Sequence, residues 1–429
     1  MLRGIIVRII VIFAVPMSFM TPFYGVLWYM WYSHFRPNDF IWPQWAFKSG
    51  ALLIAAATCA GYVLFEMQQS PLRWRGLILM TMFYLWIVLA TIFSTDKLLS
   101  LWKVSQYTNI LAMTFLIAAM ATTERRIWMM LNVAGGSIGL LGLRATIEFI
   151  VTGGQFKVEG VGGVELEANE FALVLNMAVA LLVGLSFAEP RRWLRYTYRI
   201  LALFCVIAVV GTFSRSGFLG LGIAVFLLAW YSKRRYLSLS LLLFAGIVAF
   251  PFIPKKALER YKSIPTAAQL DPSAIARIQT WETGLNMIKA HPILGVGPMN
   301  FQAQYTHYLV KKYLGAANYH ARAPHNAYVA LSAESGIPSM LLFVSFVVGT
   351  IFRMRRLRRR TKSIESMRAL SNYCLAIQMT LTVYLVPNFF ISRQNEDLMW
   401  HLVGISAGLA ILLTKKLYAP IEEPDEVLV

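Results

Sequence analysis

Two kinds of residue in this chain are placed to do chemistry: one histidine beside a proline, and arginines at the edges of apolar runs. His325 follows Pro324, precedes Asn326 and stands where an apolar run begins, so its imidazole meets solvent at a helix start. The positive end of a helix disfavours imidazolium, lowers its pKa and leaves the ring able to accept a proton. An interfacial histidine or a plain N-cap would occupy the same place. Arg215 falls in Gly211-Thr-Phe-Ser-Arg215-Ser-Gly217, a turn so tight between two apolar runs that it must lie at their interface with water. A capping arginine would look the same. Arg277 borders the stripe Ile275, Ile278, Trp281, Leu285 and Ile288, where it either stacks on Trp281 or turns its guanidinium toward a cavity. Arg144 lies inside an apolar run with Glu148 four residues on, a spacing for an ion pair, although an intramembrane arginine calls for a functional hypothesis. Glu334 is out of phase with His325 and, ahead of Ser335-Gly336-Ile-Pro338, belongs with a helix kink. A proton acceptor with anion-binding guanidiniums is the chemistry these residues offer. No Asp-x-Asp pair and no metal-ligand spacing is visible, so neither a metal site nor a cofactor is expected.

Membrane-spanning helices must position these groups. The chain has 429 residues, 58% hydrophobic and 14% charged, with a mean hydropathy of +0.58, which excludes an ordinary soluble enzyme. The net charge of +19 gathers in alternate loops, above all Arg353–Arg368, as the positive-inside bias requires, and needs no nucleic-acid partner. Cys59, Cys205 and Cys374 each stand alone in an apolar run, with no disulfide or metal pattern. Met1-Leu-Arg3 and the apolar stretch after it read as an uncleaved anchor.

Apolar runs near 48–67, 76–93, 101–121, 127–150, 170–188, 199–213, 216–231, 237–253, 326–352, 370–391 and 398–414 fit spans. With residues 1–35 crossing once, broken by Pro16 and Pro22, this gives about twelve crossings and both termini in the cytoplasm. The fold class is therefore an all-α polytopic membrane protein: a bundle over 1–253, an outer loop over 254–325, further spans over 326–416 and a tail over 417–429. The stretch Pro254–Arg322 carries nine Lys/Arg against three acids, poised to hold an anion. Within it, Asp271-Pro272 opens an amphipathic helix that stops at His291-Pro292. Leu294-Gly-Val-Gly297 makes a turn, and a second short helix runs from about Pro298 to Leu314, closed by Gly315. Val151–Asn169, rich in Gly and Glu, is expected to form a lid or hairpin.

Ser214-Arg215-Ser216-Gly217, Arg277-x3-Trp281, His291-Pro-Ile-Leu-Gly295-Val-Gly297, Pro324-His325-Asn326 and Glu334-x-Gly336, in this order, resemble the O-antigen ligase and polymerase superfamily. The opening from Pro22-Phe-Tyr-Gly-Val-Leu-Trp28 through Pro43 is similar to exosortase-associated O-glycosylation ligases of that superfamily. Ser216 stands where glycine is common, and the glycine-rich tail after the histidine is reduced to Gly336. The resemblance implies a multi-pass glycosyltransferase of GT-C type in a bacterial inner membrane. It implies transfer of a glycan from undecaprenyl pyrophosphate to a lipid A-core hydroxyl at the periplasmic face, with inversion and no metal, in lipopolysaccharide biosynthesis. It implies His325 as base, Arg215 and Arg277 on the pyrophosphate with Arg144 and Arg322 next, and Asn326 and Glu334 in support. A lipid-linked repeat unit (polymerase) or a protein Ser/Thr (protein O-oligosaccharyltransferase) is an alternative acceptor. A lipid-linked glycan flippase would share the topology without needing the histidine, but no internal repeat is visible.

Overall fold

In a computed structural model the protein is all-α, with no strand among the described residues, which are 2–41, 50–68, 70–71, 74–154, 157–160, 167–232, 235–236, 240, 272–310 and 322–418. The expected span at 237–253 apart from residue 240, the outer loop before Pro272, Gly315 and the tail beyond Tyr418 lie outside these. The helices are α1 (Leu2–Met20), α2 (Pro22–Phe35), α3 (Gly50–Gly61), α4 (Ile78–Ile92), α5 (Lys97–Met120), α6 (Glu124–Val151) and α7 (Ala168–Ala188). They continue with α8 (Arg192–Gly211), α9 (Arg215–Tyr231), α10 (Pro272–Ala290), α11 (Ala327–Thr361), α12 (Arg368–Leu385) and α13 (Asp397–Leu417). Seven of the described helices are long and apolar enough to cross a membrane: α1, α6, α7, α8, α11, α12 (with its flanking turns) and α13.

Residues 2–35 correct the single crossing expected from the sequence. Pro16 is absorbed inside α1, whereas Thr21 leaves helical geometry and Pro22 starts a new helix at its first position. The chain then folds back, since the indole of Trp28 reaches Met17 Sδ at 3.2 Å and a Cβ on Gly4 would lie 3.3 Å from Ile41. The pair is a hairpin, so the chain begins at the end of the bundle that holds residues 36–41. Hydrophobic helices pack here through small residues that let backbones approach, as expected where lipid supplies no hydrophobic drive. A Cβ on Gly184 would sit 2.6 Å from the Ala376 methyl, and one on Gly408 2.4 Å from that of Ala121.

The break in α11 sets the geometry of the site. Pro338 has no N–H to give the Glu334 carbonyl, and Gly336 adopts φ 80°, which turns the Ile337 N–H away from Ala333. Both freed carbonyls are taken by the glycine turn: Val296 N–H donates to Ala333 O and Gly297 N–H to Glu334 O, each at 2.9 Å. Ile337 N–H in return donates to Pro292 O at 2.9 Å. The two glycine motifs thus serve one backbone interlock, and the turn is not a phosphate cradle.

Asn300, fully buried, secures the next residues. Its Nδ2 donates to Ser94 Oγ at 3.0 Å and Ser100 Oγ at 2.9 Å, and its Oδ1 accepts from Asp96 N–H at 2.9 Å. In place of the expected helix over 298–314, the described part holds turns and one helical turn, Tyr305–Tyr308.

A methyl at Gly336 would stand 1.8 Å from Ile293 O in a backbone region that side chains avoid, so Gly336→Ala should cost about 2–4 kcal/mol. Gly349→Ala, inside the same helix where a Cβ meets nothing within 4 Å, should cost nothing and stabilise by up to about 1 kcal/mol. Unfolding of the two variants in detergent compares them. Equal losses would show that the interlock is not a special constraint.

Candidate active site

His325 sits in the bend between Pro324 and the N-cap Asn326, with φ 45° and its side chain half-buried. Asn326 holds the bend from one side: its Oδ1 accepts from Tyr328 N–H at 3.0 Å and Val329 N–H at 3.1 Å. From another, Asn326 N–H donates to Ser392 Oγ at 3.0 Å and Ala327 N–H to Ile391 O at 3.0 Å. From above, the Trp281 indole on α10 donates to Pro324 O at 2.8 Å. The bend before the histidine is therefore fastened to α10, to α11 itself and to the 391–392 turn.

α10 starts at Pro272 as expected, but its buried face differs from the expected stripe. Thr280, Thr283, Gly284 and Met287 are the buried positions, and a Cβ on Gly284 would approach Val329 of α11 at 2.5 Å. Ile275 and Leu285 are exposed, which suits a helix lying along a membrane surface. Two threonines and a glycine permit a closer approach to α11 than isoleucines would.

Arg277 on α10 and Arg322 ahead of the bend are the cations whose charges reach His325. Burial pushes the His325 pKa below the ordinary histidine value, the Arg277 and Arg322 charges lower it further, and the Glu167 carboxylate works against them. The direction agrees with the expectation of a neutral imidazole. The leading causes are burial and neighbouring charge.

Arg215 is the first residue of α9. Its N-cap Ser214 accepts from Gly217 N–H at 3.0 Å and donates to Asn169 Oδ1 at 2.6 Å, two residues from Glu167. The Arg215 turn therefore stands beside the same α7 start whose Glu167 acts on His325. Of the expected lid, Val158 N–H donates to Gly211 O at 2.9 Å, while Glu165 lies outside the described residues.

Arg144 is not gathered with this group. It pairs with Glu148 at 3.5 Å, and its guanidinium lies 4.9 Å from the Phe40 ring centroid. Glu334 is a support at the α11 break: its carboxylate accepts the backbone N–H of Met299 and of Phe301 and faces the Lys103 ammonium. His291, at the end of α10, hydrogen-bonds Tyr308 Oη at 2.8 Å and takes no part at His325.

The sequence reading missed a partly buried ionic group next door. Arg393 pairs with Glu170 across 223 residues of sequence. Burial works against the Arg393 guanidinium, but the Glu170 and Glu396 carboxylates outweigh it. Burial raises Glu396 to about 7, with Arg393 opposing and Asp397 adding to the rise. Arg393, Glu396 and Asp397 border a polar cavity of about 580 Å³, also lined by Tyr32, Asn38, Gln106, Asn109 and Asn395. Gln106, Asn109 and Asn395 bring to it side-chain amides, each carrying both a donor and an acceptor. The run Ser392-Arg-Gln-Asn-Glu-Asp397, polar throughout between two spans, was the available signal.

Residues 200–344 match the family model described as O-antigen ligase. The match supports the O-antigen ligase and polymerase superfamily for this chain, as the motif order implied. It runs from α8 to the first half of α11 and so contains Arg215, Arg277, Arg322, His325, Asn326 and Glu334, but neither Arg144 nor Arg393. A search of curated proteins finds no match. The resemblance of the opening to exosortase-associated ligases has no support from these comparisons.

The electrostatics of His325 can be read directly. NMR of histidine-labelled protein should show His325 titrating below the usual 6.5 or so. Arg277→Gln should move the titration up and Glu167→Gln should move it down, following the sign of each removed charge. A wild-type titration at or above the usual value would contradict the arrangement.

Proposed function

We propose that this protein is an O-antigen ligase: it transfers a glycan from undecaprenyl pyrophosphate to a lipid A-core hydroxyl at the periplasmic face of the inner membrane. The observation that carries the reading is a histidine at a fastened bend within reach of the Arg277 and Arg322 charges, inside the segment that matches the family.

In this reading the acceptor oxygen attacks the anomeric carbon and its proton passes to the imidazole of His325. The bond between that carbon and the phosphate oxygen breaks, and its electron pair leaves with the pyrophosphate. Arg215, Arg277 and Arg322 meet the charge that develops there, in place of a divalent ion. Direct displacement inverts the carbon. The cavity beside Arg393, with its amides and tyrosines, offers the glycan hydroxyls both donors and acceptors. Arg144, paired with Glu148 and stacked on Phe40, has no part in this scheme.

His325→Ala should lower transfer by roughly 10²–10⁴-fold with little change in melting temperature, because the side chain is half-buried in a bend fastened through neighbouring residues. The assay takes purified protein, lipid-linked glycan and, in parallel, lipid A-core, a second lipid-linked repeat unit or a Ser/Thr peptide. Wild-type turnover in the variant would end the base assignment, and product with either of the other acceptors instead would replace the ligase reading.

Arg215→Lys and Arg277→Lys should each weaken donor binding about tenfold to a hundredfold, since an ammonium cannot present the planar fork that spans two phosphate oxygens. Donor affinity in detergent decides this. Variants that bind like wild type would make both arginines scaffold.

A further inference from the structure

At the far end of the same helices lies a second cavity, of about 890 Å³, walled by the α7–α8 turn, the end of α9, α11 and α12. Arg195, Arg199, Arg358, Lys362 and Arg368 line it against two carboxylates, Glu189 and Glu365. Both carboxylates are engaged already. Glu189 holds Arg191 at 2.7 Å and accepts from the Trp128 indole at 3.2 Å, and Glu365 pairs with Arg368 at 3.4 Å. Arg195 donates to the carbonyls of Glu189 and Pro190 at 3.2 and 3.1 Å. Arg199, Arg358 and Lys362 have no carboxylate partner among the described residues.

Arg358 separates this cavity from loop charges that merely set orientation. Those stay in water. The Arg358 guanidinium instead lies 5.2 Å from the Tyr231 ring centroid, and its Nε is buried without a hydrogen-bond partner among the described residues. A guanidinium held beside a ring at a cavity wall suits the oxygens of an anion. Phe187, Tyr231 and Leu375 complete an apolar wall beside the cations. From Gly336 to Arg358 the helix advances roughly 33 Å at ~1.5 Å per residue, about one hydrocarbon thickness. The cavity is thus about a membrane's thickness from the break in α11, at the end of the bundle away from His325.

We propose that this cavity binds a phosphate group, carried by an anionic lipid headgroup or present as free phosphate, with Arg358 and Lys362 as its principal contacts. The full chain in detergent is titrated with phosphatidylglycerol, with phosphatidylcholine and with inorganic phosphate while its thermal midpoint is followed. Phosphatidylglycerol should raise the midpoint at concentrations where phosphatidylcholine does not. The double variant Arg358→Gln, Lys362→Gln should weaken that response at least about tenfold. Arg356→Gln, the same charge loss at an exposed position off the cavity, should leave it unchanged. Lys362→Gln alone, at an exposed side chain, should give a smaller but measurable weakening and carries the test if the double variant fails to fold. A response to inorganic phosphate alone would identify free phosphate as the source, and a response to the lipid alone would identify the headgroup. The proposal is overturned if neither phosphate source shifts the midpoint, if both lipids act alike, or if the cavity variants respond like Arg356→Gln.

Discussion

A backbone carbonyl inside a membrane bundle must find a donor, and in α11 two carbonyls lose theirs at once. Pro338 has no N–H, and Gly336 turns that of Ile337 away, so the helix could not break there alone. The turn from Pro292 to Gly297 supplies both missing donors and receives one hydrogen bond in return. That exchange docks the end of α10 onto α11. Asn300 then ties the following residues to the α4–α5 turn. With α10 in place, Trp281 can hold Pro324 and Arg277 can face His325. The groups proposed to do the chemistry thus depend on a contact of backbone with backbone, at the edge of an interruption in one long helix.

The electrostatic design follows from that docking. Partial burial and cations that an anionic substrate would offset hold the His325 pKa below its ordinary value, and Glu167 moderates them. Beside it, Arg393 and Glu170 form a partly buried pair between α7 and the 391–397 turn, which also anchors Asn326 and Ala327. A pair of this kind contributes little net stability but fixes register, because removing either partner strands the other charge. It stands between the histidine bend and the polar cavity. On the reading proposed for this protein, one face of that wall meets phosphate and the other meets sugar.

Much of this was legible in the sequence, and the losses have particular causes. Helix positions followed from apolar runs, and His325 with Asn326 followed from a proline and two polar residues at the mouth of a span. Glu334 was rightly assigned to a kink, since Gly336 and Pro338 announce one. The hairpin in residues 2–35 was not legible, because hydropathy gives length and not direction, and Pro16 and Pro22 look alike until one is seen inside a helix and the other starting one. The α10 stripe misled because Thr280, Thr283 and Gly284 bury by virtue of small size, which a hydrophobic pattern does not register. Arg144 drew attention as an intramembrane charge, yet its neighbours satisfy it locally. Arg393 and Glu170 are joined across 223 residues, a contact that no local spacing encodes.

The central claim is that an anionic, lipid-linked donor sits where α10, the bend at His325 and the start of α9 converge. Photo-crosslinking with an undecaprenyl-pyrophosphate glycan that carries a photoreactive group next to the phosphates addresses it most directly. After digestion and mass spectrometry, adducts should fall on peptides from 272–290, 322–328 and 212–217, and unlabelled donor should compete them away. Competable adducts confined to the far end of the bundle, near Arg358 or Arg368, would contradict the account.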